Sequence, residues 1–148
     1  MFIDASAIVA ILNQEPARDV LISCIERAVG PMVVSPIVRF EAIVSLARAR
    51  AQASGLGRSN AQMLAQASAA VDLFLEEIEA EEMSLTPEVG RLAVAASARY
   101  GKVVGHPAAL NFGDCFTYAC ARTRAQALLF IGADFVETDL ASALNASV

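Results

Sequence analysis

Four acidic residues stand at positions where an alternating pattern of strands and helices can gather side chains for chemistry. Asp4 ends a short apolar segment that predicts the first strand, and Asp134 follows another such segment late in the sequence. Asp114 begins a predicted helix, and Glu41 lies in a helix whose apolar neighbours direct its carboxylate toward the core. Taken singly, Asp4 and Asp114 are also good helix N-caps, and Asp134 is compatible with an ordinary loop acid.

These carboxylates can form a functional site if the fold brings them together. In open parallel sheets, ligands bind beyond the carboxyl ends of the strands, so acids at those ends are expected to converge. Converging carboxylates repel one another, which raises their pKa values unless a divalent cation lies among them. Oxygen-only ligands select hard cations such as Mg²⁺ or Mn²⁺, which can activate a water molecule for attack on a phosphodiester. One ion or two would satisfy this pattern.

Several other polar residues lie near the four acids in the sequence. Ser6 and Thr117 follow two of the acids by two and three residues, where a hydroxyl can orient water or cap the backbone. Arg39 is equally suited to meeting a phosphate or to pairing with surface acids. Tyr118 is expected to pack, with its hydroxyl near the edge of the site. The single histidine, His106, lies in a loop without an evident orienting partner, so we do not expect it to act as a general base.

Other kinds of site are excluded by what the chain lacks. One histidine and three cysteines without metal-ligand spacing do not make a zinc site, and the cysteines are expected to be free, packed thiols. Neither a phosphate-binding P-loop nor a Gly-x-Ser-x-Gly nucleophile elbow is present. Five glutamates between positions 76 and 82 are expected to form a solvated face.

Composition sets the scale of the molecule and limits its partners. A chain of 148 residues is expected to form one domain, residues 1–148, and its 56% apolar content exceeds the usual 45 to 50%, which favours a partner surface. The net charge of −5 argues against a broad basic track for nucleic acid, so any such contact must be local. The sequence has neither a bilayer-spanning apolar stretch nor a secretory signal, so we expect a cytosolic protein without membrane contact.

Strand and helix patterns alternate along the chain. This alternation predicts an α/β fold in which helices cover both faces of a mostly parallel, twisted sheet of four or five strands. Thr86-Pro87 begins one helix, and Ser59 with Gln62 predicts a capping box at the start of another. We predict strands at 1–4, 32–35, 81–86 and 127–131, helices at 6–12, 16–28, 36–54, 59–80, 86–100 and 112–124, and an irregular loop at 102–113.

Four segments of the chain, in this order, resemble the PIN-domain ribonucleases and specifically the VapC toxins of toxin–antitoxin pairs. They are residues 1–7 (MFIDASA), 40–41 (FE), 111–119 (NFGDCFTYA) and 130–135 (FIGADF). The likeness covers essentially the whole length. Any one segment would be weak, but the four together at these separations form a specific signal.

The resemblance implies a three-layer α/β/α PIN fold and a Mg²⁺- or Mn²⁺-dependent endoribonuclease. By motif, Asp4, Glu41 and Asp114 correspond to the metal-binding acids, with Ser6 as a supporting hydroxyl. Asp134 is the expected fourth acid and Asp139 a conceivable substitute. The family further implies a homodimer that is held inactive by a small antitoxin.

Three other functions compete with that of a nuclease. A receiver-like binding protein also has acids at strand ends, but it needs a late lysine, and the last lysine here is Lys102 in a loop. A phosphatase with an Asp-x-Asp motif fails because position 6 is Ser. A catalytically silent PIN-like binding protein remains as the alternative function.

Overall fold

The computed structural model describes residues 1–145, in which six helices surround a sheet of four short strands. The strands are β1 (Phe2–Ile3), β2 (Val33–Val34), β3 (Glu81–Glu82) and β4 (Leu128–Leu129). The helices are α1 (Ala5–Leu12), α2 (Arg18–Glu26), α3 (Pro36–Ala53), α4 (Ala61–Glu77), α5 (Pro87–Tyr100) and α6 (Phe112–Thr123). The last three residues of the predicted domain lie outside this described range.

All strand pairings in the sheet are parallel, in the order β3-β2-β1-β4. Phe2 of the central strand β1 pairs with Val33 on one side and with Leu128 on the other. Successive strand residues point to opposite faces, and both Phe2 and Ile3 are fully buried, so helices cover the sheet on both sides. The prediction of a mostly parallel α/β fold with four or five strands is confirmed.

Side chains that cap helices determine where the strands end. Asp4 caps α1 through a hydrogen bond from the Ser6 amide, and Ser35 caps α3 ahead of Pro36. Because each cap follows its strand directly, β1 and β2 are two residues long and not the four predicted for each. The strands β3 and β4 are likewise shorter than predicted, with two residues each.

Two helices are capped by residues other than those that the sequence suggested, although α6 begins at Phe112, as predicted. The cap of α4 is Asn60, whose side chain accepts a hydrogen bond from the Met63 amide, and the expected capping box at Ser59 does not form. Asp114 does not cap α6 either, because Asn111 occupies that position. Helix α2 also starts two residues after Pro16, and a 3₁₀ turn, Lys102–Val104, lies in the loop predicted to be irregular.

The edge strand β3 is exposed and carries paired charges. Glu81 contacts Arg124, and Glu82 forms an ion pair with Arg39 at 2.8 Å. Charged side chains on an edge strand discourage pairing with other chains. The glutamates between positions 76 and 82 are all exposed, which confirms the predicted solvated face.

The structure also shows the state of the cysteines and the length and polarity of the helices. The three cysteines are free and buried, as predicted. In the part of the chain that the structure describes, every helix is too short or too polar to cross a bilayer.

Candidate active site

A cavity of about 370 Å³ opens beyond the carboxyl ends of β1, β2 and β4, where ligands bind in parallel sheets. Its lining includes all four predicted acids, which come from four separate parts of the chain. The lining residues are Asp4, Ala5, Ser6, Val9, Glu15, Glu41, Ser45, Asp114, Ile131 and Asp134. The fold thus brings together carboxylates that lie up to 130 positions apart in the sequence.

Asp4 lies at the floor of this cavity, directly after the central strand. The residue is 7% exposed, and its Oδ2 accepts hydrogen bonds from the Ser6 amide at 2.9 Å and the Ser6 hydroxyl at 2.6 Å. Burial raises the pKa of the Asp4 carboxyl, whereas the bonds from Ser6 oppose that rise. The Asp4 side chain therefore both caps α1 and lines the cavity.

The Ser6 hydroxyl connects the first strand to the last. Its Oγ donates to Asp4 and accepts from the backbone amide of Ile131, at 3.1 Å, in the segment after β4. Thr117 lies on α6, and its fully buried hydroxyl helps to lower the pKa of the Asp4 carboxyl without forming a close hydrogen bond. Ser6 therefore lies beside Asp4, as its position two residues later suggested, whereas Thr117 does not line the cavity.

Glu41 projects from the second turn of α3 and rests against the start of α6. A Cβ atom at Gly113 would overlap the whole carboxyl group of Glu41, so only glycine leaves room for it there. Burial, together with the charges of Asp4 and then Asp114, raises the pKa of Glu41 to about 7. This carboxylate consequently changes protonation near neutral pH in the absence of a cation.

Asp114 is the third residue of α6 and completes a capping box with Asn111. Its Oδ2 accepts a hydrogen bond from the Asn111 amide at 2.8 Å, and the Asn111 side chain accepts from the amides of Gly113 and Asp114. Burial raises the pKa of Asp114 to about 6, the Asn111 bond opposes the rise, and the charges of Asp134 and Asp4 add to it.

Asp134 is exposed and stands at the rim of the cavity in the loop after β4. Phe135, the next residue, is buried and packs edge to face on Phe130, which fixes this loop against the core. Asp139 is directed elsewhere, because it accepts a hydrogen bond from the Tyr118 hydroxyl at 2.6 Å and pairs with Arg99 at 3.2 Å. The geometry therefore favours Asp134 over Asp139 as the fourth acid.

Arg39, which the sequence suggested for contact with a phosphate or with surface acids, does not line the cavity. Its guanidinium pairs with Asp72 and Glu82, each at 2.8 Å. Of its two suggested roles, the structure therefore shows pairing with surface acids. His106 also lies elsewhere. Its Nδ1 accepts from the Ala108 amide at 3.1 Å and its ring packs against Tyr100, which is a structural role.

Two polar residues of the cavity were not among the predicted site residues. Ser45 lies four positions after Glu41 on α3, and helical periodicity was a signal that could have found it. Glu15 lies beyond the end of α1, after a residue with left-handed backbone, Gln14 at φ 56°, and no periodic pattern indicates its direction. The cavity thus has a fifth carboxylate.

The chemistry of this donor set fits a hard divalent cation. The lining contains carboxylates and hydroxyls but no Lys or Arg, and burial, together with the charges of neighbouring acids, raises the pKa values of Glu41 and Asp114. Among residues 1–145, no group of three His, Cys, Asp or Glu side chains is already arranged to hold a metal ion. An oxygen-only set selects Mg²⁺ or Mn²⁺ over softer ions.

Comparisons with known proteins point to one family. The PIN domain family matches residues 1–140. A VapC ribonuclease of Rhizobium meliloti is 45% identical over 94% of this chain and 98% of its own length. Ribonuclease VapC42 of Mycobacterium tuberculosis is 32% identical over 95% of this chain and 96% of its own length.

A solved structure has the same fold. The crystal structure of Mycobacterium tuberculosis VapC20, described as a sarcin-ricin loop cleaving toxin, superposes with a TM-score of 0.69. The match covers 94% of this chain and 95% of that one at 16% identity. With a family match over residues 1–140 and near full-length relatives, this chain belongs to the PIN-domain family and, within it, to the VapC ribonucleases.

Proposed function

We propose that this chain is a metal-dependent endoribonuclease, the toxin of a VapBC-type pair, that hydrolyses RNA phosphodiester bonds in the cytosol. The observation that carries the proposal is that Asp4, Glu41, Asp114 and Asp134 line one cavity that contains no basic side chain. We treat residues 1–148 as a single PIN domain. The names of the relatives support ribonuclease activity.

The four acids would hold Mg²⁺ or Mn²⁺. When bound, such a cation supplies an activated water and stabilises the charge that develops on phosphate oxygens. Ser6 holds the Asp4 carboxylate in place through its hydroxyl and amide, and the Asn111 amide does the same for Asp114. These bonds keep two carboxylates oriented before substrate arrives, which reduces reorganisation during reaction.

The charge of the site explains why activity should require a cation. A phosphate that approaches an all-acid cavity on a protein with net charge −5 is repelled. A divalent cation among the acids offsets part of their charge and gives the phosphate a positive centre to bind. Chelation should therefore reduce RNA binding as well as cleavage.

Exposed apolar side chains support the proposal that this chain binds partner proteins. Phe112, Val94 and Val103 are each more than two-thirds exposed and surround a groove of about 670 Å³ between α5 and α6. Exposed apolar surface of this kind indicates association. We propose that the chain forms a homodimer and binds a small cognate antitoxin, which light scattering of the chain alone and with its antitoxin would test.

The central experiment compares wild type, Asp4→Asn and Asp139→Asn on a panel of transfer and ribosomal RNAs. Asp139→Asn is the matched control, because it makes the same chemical change outside the cavity. We expect cleavage by wild type and by the control with Mg²⁺ or Mn²⁺, and none by Asp4→Asn or with chelator. Equal cleavage by wild type and Asp4→Asn would indicate a contaminating nuclease. Absence of cleavage by all three would favour a catalytically silent PIN-like binding protein.

A further inference from the structure

The acid cavity extends past the four acids along the groove between α1 and α3. Asp4 lies at the start of α1, whereas Glu15 follows the end of that helix, which at eight residues is about 12 Å long. On the facing helix, Ser45 lies one turn beyond Glu41. A ligand whose phosphate is held by the acids therefore has space to reach Glu15 and Ser45.

The far part of the cavity combines an apolar wall with fixed polar groups. Val9 lies on the wall between the acids and Glu15. The backbone of Glu15 is held on both sides, because its amide donates to the Ala10 carbonyl at 2.9 Å and its carbonyl accepts from the Arg18 amide at 2.9 Å. The backbone that carries Glu15 is therefore fixed at this end of the cavity.

The Glu15 carboxylate has free acceptor capacity. Within residues 1–145 it forms no ion pair, and its one side-chain contact, from the Asn13 amide nitrogen, is long at 3.5 Å. The Ser45 hydroxyl has no hydrogen-bond partner among the described residues. A half-buried carboxylate accepts several hydrogen bonds, so a ligand with N–H groups fits it better than one with further oxygens.

This combination suits a nucleobase and not a phosphate. Sequence-specific RNA recognition uses unpaired bases that pack on flat surfaces and form hydrogen bonds along their Watson–Crick edges. Guanine presents two adjacent N–H donors, at N1 and N2, which match a carboxylate, and an O6 acceptor, which matches a hydroxyl. Uracil presents two carbonyls and one N–H, so a carboxylate would repel it.

We infer that Glu15, with Ser45, is a specificity-determining pair that selects a guanine next to the phosphodiester bond that is cut. This inference rests on the proposed ribonuclease function. Glu15 reads the N1–H and N2–H donors, and the Ser45 hydroxyl donates to O6. The acids perform the same chemistry on any RNA, while Glu15 selects which bond reaches them.

The test uses single-stranded RNA with a randomised central segment, cut by wild type and Glu15→Gln in Mg²⁺ and sequenced at the new ends. Wild type should prefer guanine at one position beside the cut. Inosine at that position lacks the N2 amino group and should lower kcat/KM by about 10- to 100-fold. Glu15→Gln should lose the difference between guanine and inosine, with an unchanged Mg²⁺ requirement. Glu76→Gln, on the exposed face of α4, removes a carboxylate outside the cavity and should behave as wild type.

Each outcome decides between the two proposals. If wild type cuts the pool without a guanine preference, or if Glu15→Gln keeps the full ratio of guanine to inosine, the inference is wrong while the ribonuclease function stands. A changed Mg²⁺ requirement in Glu15→Gln would also overturn it, since Glu15 would then act through the cation. Should Glu15→Gln fail to fold, Glu15→Ala decides by the same ratio. If wild type cuts no RNA with either cation, both proposals fail.

Discussion

Replacing Gly113 by alanine offers a specific test of how the acids are arranged. Gly113 is the second residue of α6, has no left-handed backbone, and faces the Glu41 carboxyl group. An added methyl would overlap that carboxyl group well inside the ordinary contact distance of 3.4 Å. Because the end of a glutamate side chain is flexible, Glu41 should move while the backbone stays in place.

The size of the effect follows from the required displacement. The Glu41 carboxylate must retreat by more than about 1 Å, and a misplacement of that size can lower an enzymatic rate by about 100-fold. Folding should not suffer, since alanine in a helix is favoured over glycine by up to about 1 kcal/mol. We therefore expect Gly113→Ala to lower cleavage about 100-fold with a Tm that is unchanged or raised by a few degrees.

The assay measures kcat/KM for RNA cleavage together with thermal unfolding. Gly90→Ala is the matched control, because it makes the same change in helix α5, where an added methyl meets no atom within 4 Å. The double variant Gly113→Ala with Glu41→Asp should be no slower than Glu41→Asp alone, since the two changes affect one contact. Near wild-type cleavage by Gly113→Ala, or a Tm loss like that of a core mutant, would refute this reasoning.

Three further predictions follow from the geometry of the site and its helix caps. Asp134→Asn should lower cleavage by roughly tenfold or more, whereas Asp139→Asn should not; the reverse order would make Asp139 the fourth acid. Raised pKa values of Glu41 and Asp114, about 7 and about 6, favour the protonated folded state, so this stabilisation is present at acidic pH and lost as the pH rises through these values. Without metal, Glu41→Gln should gain in Tm over wild type as the pH rises from about 5 to about 8; a constant difference would contradict the assignment. Ser35→Ala should lower the free energy of unfolding by about 1 kcal/mol in urea titrations, and a loss below a few tenths would contradict its capping role.

The start of a helix could be predicted from the sequence where the contact that caps the helix joins neighbouring residues. Asp4 caps α1 through Ser6, and Ser35 precedes Pro36, so both helix starts could be read from adjacent residues. At α4 the same reasoning selected Ser59, although Asn60 is the cap. A one-residue error of this kind is expected, because several residue types cap helices almost equally well.

The convergence of the acids could be expected from topology, but the rest of the cavity could not. Rules for parallel sheets place Asp4 and Asp134 at the same edge once the strands are recognised. Glu15 reaches the cavity because Gln14 turns the chain through a left-handed conformation. No pattern of apolar residues in the sequence indicates this turn. Arg39 was undecided for a similar reason, since its partners Asp72 and Glu82 come from elements distant in sequence.

The position of β1 at the centre of the sheet has a consequence for the synthesis of the protein. Strand β1, Phe2–Ile3, is made well before its neighbour Leu128–Leu129, and the Ser6 hydroxyl well before its partner, the Ile131 amide. A growing chain therefore contains Asp4 long before the acid cavity is complete, because the cavity also needs residue 134. Cleavage by the four acids, as proposed, therefore requires nearly all of the segment that matches the PIN domain family, residues 1–140.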